Sequence, residues 1–501
     1  DGGLGPTPHP RDRGSAARLV VHRRPAIARQ VDAHDGPLPE LAFDRDGAAV
    51  LLDDPVGDRQ AEDPQVTTQA GAVGRPGQGH VGGPAEGRRA ARGEETADGE
   101  HDEQGPDERE HACPMLARVG LSAGNVVGAG AEAARRVVAE LEPEIHRTLL
   151  AGNIPSASIA LVSGDQVIWT GAYGQSNLWA RTPAATNTVY LIGSTFKTMS
   201  SVALLQQMEQ GKFKLDDRVN DYLTDFKIQG EDPQKPVTFR HLLTHTSGMP
   251  PDFGGFPVWG DTVPPSLEEY LRKSLKVTKP PMTSVTYSNM AYTLIGYLVQ
   301  KFSGKPYKQY IQEHIFTPLE MNSTAFEPRP DMDERLSIPY RVDEKTGAQV
   351  GALRVKASVW PAGLVYGTVL NQANWLIMNL NGGKFKDKQI IGEATLEQMF
   401  TRQHDQFKGR IENIWGNETA GFGLTWWSQV RDGDRYFAHS GSVPGYTAFL
   451  LGNRDRKLGF AILTNGNRSH PHLFKLADQA MDLMKKHSAP KAPQPASGSV
   501  P

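Results

Sequence analysis

The apolar positions of the chain fall into distinct patterns, each confined to one stretch. Val137, Val138, Leu141, Ile145 and Leu149 recur at helical spacing, and Pro143 among them predicts a kink or a restart. Residues 157–162 and 166–171 are two β-rich runs joined by Ser163-Gly164-Asp165, which predicts a hairpin. The apolar lead-in Val189-Tyr190-Leu191-Ile192 precedes a helix pattern that begins at Ser194 and ends at Gly211, a residue suited to the position after a helix. From 212 to about 430 the pattern is mostly helical, as at 267–275, 291–302 and 307–315, interrupted by loops and prolines. Strand character returns at 446–451 and 458–463, joined around Asn453-Arg454-Asp455. A last stripe of Leu473, Leu476, Ala477, Ala480, Leu483 and Met484 suits a helix that covers a sheet. The whole predicts an α/β (α+β) architecture. Its sheet comes from residues of about 150–190 and 435–465, with helices on its faces and a mainly helical insertion at about 212–430.

Residues 1–130 lack this patterning. They contain no Lys, Tyr or Trp, and Phe43 is their single Phe. So few large apolar groups cannot offset the entropy of ordering the segment, which predicts disorder. Met115 is the first methionine. We expect natural translation to start near it or at an alternative start, the residues upstream being a non-native extension. The stretch after Met115 makes a poor secretory signal, with Arg118 as its one charge and Asn125 and glycines breaking the apolar run. Periplasmic, secreted and cytoplasmic placement all stay open. Residues 488–501 form a Pro-rich tail, also expected to be disordered.

Composition removes several classes of function. A formal net charge of -3 gives no sign of a nucleic-acid partner. Cys113 is the single cysteine, so no internal disulfide forms, and no Cys/His spacing resembles a zinc site. No apolar run is long enough to span a bilayer.

Chemistry enters at Gly193-Ser194-Thr195-Phe196-Lys197. Residues three apart share a helix face, so the Lys197 amine can sit beside the Ser194 hydroxyl. A serine at a helix start also lies near free backbone N–H groups and the positive end of the helix dipole. Nucleophile, base and half of an oxyanion hole can thus come from a few residues. Ser-x-x-Lys alone is weak, because a second copy, Ser488-Ala489-Pro490-Lys491, stands in the tail. Two further groups change that. Tyr287-Ser288-Asn289 precedes a helical pattern, and a phenol beside a lysine cation is expected to have its pKa lowered toward proton transfer. His439-Ser440-Gly441-Ser442 opens the late strand region, where glycine admits a substrate and the following amide can donate to an oxyanion.

In this order the three motifs resemble those of the serine β-lactamase and penicillin-binding-protein superfamily. They are closest to its class C β-lactamase-related branch, with D-alanyl-D-alanine carboxypeptidases and family VIII carboxylesterases. Ile154-Pro155, the stretch Leu242-Leu243-Thr244-His245-Thr246-Ser247-Gly248, Phe316-Thr317-Pro318-Leu319 and Gly421-Phe422-Gly423-Leu424 are similar to secondary signatures of that branch. The resemblance covers about 131–487. It implies an antiparallel sheet flanked by helices plus a mainly helical subdomain. It also implies Ser194 as nucleophile, Lys197 as general base and Tyr287 as proton shuttle. Asn289, His439 and Gly441 would bind substrate, and the backbone N–H groups of Ser194 and Ser442 would form the oxyanion hole. The implied activity is acyl transfer from a small-molecule ester, D-amino-acid peptide or β-lactam, with no metal or organic cofactor. Oligomeric state is left open.

His439 stands where the β-lactamases carry a lysine, and a mostly neutral imidazole holds a carboxylate less strongly. That favours an esterase or D-peptidase over a β-lactamase. A penicillin-binding sensor or non-catalytic scaffold is the alternative of another class. At 371–375, Asn-Gln-Ala-Asn-Trp replaces a usual acidic residue. Taken singly, Ser194 and Asn289 would be read as helix caps and Tyr287 as a core residue. His245 is expected to hold a loop by hydrogen bonds, His470-Pro471-His472 to cap a helix, and Trp426-Trp427 to line a core or a pocket. Gly120-Leu121-Ser122-Ala123-Gly124 matches a nucleophile elbow in letters only, since it lacks the strand and helix that an elbow needs.

Overall fold

The computed structural model describes residues 41–43, 49–51, 131–251, 262–407, 419–467 and 469–488. The expectations placed on Met115, on 120–124 and on the tail beyond 488 lie outside these. In the front segment, Leu41–Phe43 and Ala49–Leu51 pair as a two-stranded sheet.

The main body is built on one eight-stranded antiparallel sheet. Its strands are β1 Ser156–Ser163, β2 Gln166–Asn177, β3 Thr182–Pro183, β4 Gly421–Phe422, β5 Trp427–Arg431, β6 Asp434–Val443, β7 Tyr446–Asn453 and β8 Leu458–Thr464. Their spatial order is β4-β5-β6-β7-β8-β1-β2-β3, so early and late parts of the chain meet where β8 pairs with β1. There Ile462 faces Ile159 and Ala461 faces Ala160. Alternation along β1 sends Ile159 and Leu161 to one layer, and Ala160 and Val162 to the other. The expected hairpin forms, with Ser163 paired to Gln166 across Gly164-Asp165. Gly164 takes a φ of +63° in that turn.

Two helices cover one face, α1 Ala131–Ala151 and, at the far end of the chain, His470–His487. Val137, Leu141, Ile145 and Leu149 of α1 pack with Leu473, Leu476, Ala480 and Met484 against the sheet. Each such Val, Leu, Ile or Met side chain contributes about 1.5–3 kcal/mol by leaving water. Pro143 neither ends nor restarts α1, which runs through it. His470 and His472 lie in the first turn of the last helix and do not cap it, for Ser469 is the N-cap residue.

The opposite face is covered by α4 Val369–Leu380, and α2 Lys197–Glu209 and α3 Asn289–Ser303 pack on each other in the same core. Every residue of α2 from Lys197 to Leu205 is buried, so this stretch of the helix is central and has no exposed face. Gly211 follows its end with a φ of +74°, as the sequence predicts. The helical stretch is shorter than expected at its C-terminal side, because β4 and β5 already belong to the sheet at 421–431. Two-residue strands such as Gly421–Phe422 carry too little alternation to read from sequence. No helix among the described residues is long and apolar enough to cross a membrane.

Candidate active site

Ser194 sits in a 3-10 turn, Gly193–Phe196, that leads directly into α2. The turn rests against β6. A Cβ added at Gly441 would lie 2.1 Å from the Ile192 carbonyl oxygen and 3.1 Å from the Ser194 nitrogen. One added at Gly193, whose φ is +55°, would lie 2.7 Å from the Ser442 nitrogen. Glycine at both positions lets the two backbones touch, which brings the Ser194 and Ser442 amides to one place. The Ser194 side chain is not used as a cap, and the residue keeps part of its surface open.

One turn on, Lys197 has no exposed surface. Its Nζ lies 3.0 Å from Ser194 Oγ, 2.6 Å from Asn289 Oδ1 and 2.7 Å from the Ala362 carbonyl oxygen. Burial holds its pKa well below the ordinary lysine value, so the neutral amine is favoured. A neutral amine has two N–H donors and one lone pair. With the donors on Asn289 and Ala362, the lone pair is left for the Ser194 hydroxyl proton.

Asn289 is the first residue of α3, and Ser288 before it makes the cap, accepting from the Ala291 amide at 3.2 Å. The asparagine side chain is thereby free for the lysine. Its Oδ1 is committed there, which leaves only the Nδ2 side for a substrate. Ala362 was not singled out in the sequence, and a backbone carbonyl leaves no residue-type signal. It lies in the turn Trp360–Ala362, which is tied to α2 by Ser200 Oγ donating to the Pro361 carbonyl at 2.6 Å.

Tyr287 is half-buried, with the Lys197 Nζ 4.8 Å from its ring centroid. Its phenol pKa is raised, against the sequence expectation. Desolvation outweighs the pull of the Ser194 hydroxyl. The expected lysine cation is not there to lower it, because the same burial favours the neutral amine. The tyrosine is thus a proton donor at neutral pH.

His439 is fully buried. Its ring stacks on Trp427 at 5.2 Å and 16°, and Nδ1 lies 2.6 Å from the Ser440 carbonyl oxygen. That contact puts the proton on Nδ1 and leaves Nε2 as an acceptor with no partner among the described residues. Burial pushes its pKa down to about 3. The imidazole is neutral, as the sequence reading held. Trp426 and Trp427 are buried beside it. In the stretch 371–375, Asn371 Oδ1 accepts from Thr324 Oγ1 at 3.0 Å inside the core. Among the described residues no group of three or more His, Cys, Asp or Glu is gathered to hold a metal ion.

Comparison with known proteins gives the family. The Beta-lactamase family model matches residues 84–485, so the chain belongs to that family, within the serine β-lactamase and penicillin-binding-protein superfamily. The match begins upstream of the boundary expected near 131. The chain is similar to Protein flp of Staphylococcus aureus (strain MW2), at 25% identity over 357 residues, or 70% of this chain and 67% of that protein. Penicillin-binding protein 4* of Bacillus subtilis (strain 168) is 25% identical over 321 residues, 62% of this chain and 68% of its own. Among solved structures, the octameric penicillin-binding protein homologue from Pyrococcus abyssi superposes with a TM-score of 0.57. It is 26% identical and covers 70% of this chain and 79% of its own. Serine hydrolase chemistry through an acyl-enzyme is what this family and fold suggest.

Proposed function

We propose that the chain is a serine hydrolase acting through an acyl-enzyme, and that its preferred substrates are carboxylic esters, with D-amino-acid peptides second. The observation that carries this reading is the buried Lys197 amine, 3.0 Å from Ser194 Oγ and favoured in its neutral form. Lys197 takes the hydroxyl proton as Ser194 Oγ bonds to the carbonyl carbon. The oxyanion that forms is stabilised by the Ser194 and Ser442 amides. As the carbon–oxygen or carbon–nitrogen bond to the leaving group breaks, Tyr287 gives its phenol proton to that group and regains one from the Lys197 ammonium. Water then releases the acyl group by the reverse sequence of proton transfers. The preference for esters rests on His439, since a neutral, buried imidazole offers no charge to a substrate carboxylate.

A panel of a short p-nitrophenyl ester, a chromogenic cephalosporin and a D-Ala-D-Ala peptide tests the reading, with wild type and Ser194→Ala side by side. The ester is expected to turn over fastest, and Ser194→Ala to lose all three activities. Turnover surviving in Ser194→Ala ends the mechanism. A faster cephalosporin makes the protein a β-lactamase, and a stable penicilloyl adduct without turnover makes it a sensor.

The catalytic unit, in this reading, spans about 131–487, and the residues before it are not needed. Deleting residues 1 to about 115 is expected to leave kcat and Tm within error of the full chain. Because the family match starts at residue 84, loss of activity on deletion would move the unit's boundary upstream.

A further inference from the structure

His245 lies in the loop that follows the short helix Phe239–Leu243, far in sequence from the three motifs. It is fully buried and holds a φ of +58°, a conformation that residues other than glycine adopt rarely. Each of its polar and aromatic contacts in the tyrosine segment falls on Tyr287 or on a residue beside it. Its carbonyl oxygen accepts from the Thr286 amide at 2.7 Å. Its ring Nδ1 accepts from the Ser288 amide at 3.1 Å. Between these two bonds, its ring face lies against the Tyr287 ring, centroids 4.2 Å apart at 30°.

We propose that His245 is the positioning residue for Tyr287, holding the phenol ring against the Ser194–Lys197 pair by gripping the backbone on both sides and supporting the ring from behind. A loop with the same job could have used any acceptor for one amide. Here one residue, in an uncommon backbone conformation, supplies both acceptors and the platform. Because Nδ1 is an acceptor, the neutral ring carries its proton on Nε2, an atom without a partner among the described residues. His245 does not touch the reacting atoms. It acts through the tyrosine, and the inference therefore rests on the proton-donor role given to Tyr287 above.

The test separates positioning from general support of the fold. Four variants, His245→Ala, His245→Asn, Tyr287→Phe and His245→Ala/Tyr287→Phe, are assayed on an ethyl ester and on the matching p-nitrophenyl ester, with Tm measured for each. His245→Ala is expected to lower kcat on the ethyl ester about 10²-fold with KM little changed, the scale of a misplaced catalytic group. The loss in kcat/KM, which reports acylation, should be smaller on the p-nitrophenyl ester, whose leaving group needs no proton. Asparagine tolerates positive φ and its Oδ1 can take the Ser288 amide, so His245→Asn should recover to within about tenfold of wild type. In the double variant, His245→Ala should add nothing to Tyr287→Phe. Losses that multiply, or that are equal on the two esters, overturn the positioning role alone. Full activity in Tyr287→Phe overturns both this inference and the role of the tyrosine. If the alanine variant fails to fold, His245→Gly, which keeps the positive φ without the ring, takes its place under the same expectations. Wild-type kcat in it, or equal losses on both esters, sinks the proposal.

Discussion

Lys197→Arg is expected to cost about 10³–10⁴ in kcat/KM, as large an effect as losing a general base altogether. The substitution keeps a basic, hydrogen-bonding side chain at the position, and that is why it is informative. Lysine can work here because burial lowers its pKa and favours the neutral amine. A guanidinium does not deprotonate in proteins, so it can donate to Asn289 and Ala362 but offers no lone pair to Ser194. Raising the pH should not rescue the variant. In the wild type the sign runs the other way. The amine is active when neutral, so kcat/KM should fall as pH drops through the lowered lysine pKa and be restored on return. A pH–rate profile of wild type and Lys197→Arg, with Tm to confirm folding, makes the comparison. An arginine variant that regains activity at high pH would show that Lys197 is not the base.

How much of this is legible in the sequence depends on whether a feature is carried by residue type or by backbone. The β1–β2 hairpin, the α1 stripe and the pairing of early with late strands follow from periodicities of two and 3.6, and each appears where the sequence puts it. Ser194, Lys197, Tyr287, Asn289 and His439 all stand out in the sequence by letter and order. The structure brings them to one place. Three things were not legible. The Ala362 carbonyl has no side-chain signature, and only the fold directs it at Lys197. The phenol pKa of Tyr287 depends on desolvation, which a sequence does not state, so a neighbouring lysine suggested the wrong direction. The strands at 421–431 were read as part of the helical insertion, because two tryptophans and a two-residue strand carry no clear alternation.

Gly441→Ala is the second change expected to have a large effect, and it probes the half of the site that motifs describe least. The added methyl would stand 2.1 Å from the Ile192 carbonyl oxygen, which is backbone and cannot swing away. Either β6 or the Ser194 turn must shift. A shift of either pulls the Ser442 amide away from the Ser194 amide, because Gly193 and Gly441 hold the two segments in contact. Removing one donor from an oxyanion hole costs about 10²–10³ in kcat, and that is the expected loss, with KM changed far less. Overpacking at a buried backbone contact should also lower stability by about 1–3 kcal/mol, read as a drop in Tm. The ordering distinguishes this variant from Lys197→Arg. Here acylation and release of the acyl group should slow together, since both pass through an oxyanion, and the pH dependence of what remains should match wild type. A Gly441→Ala enzyme with wild-type kcat would mean that the oxyanion is stabilised elsewhere, and that the close approach of β6 to the Ser194 turn serves only packing.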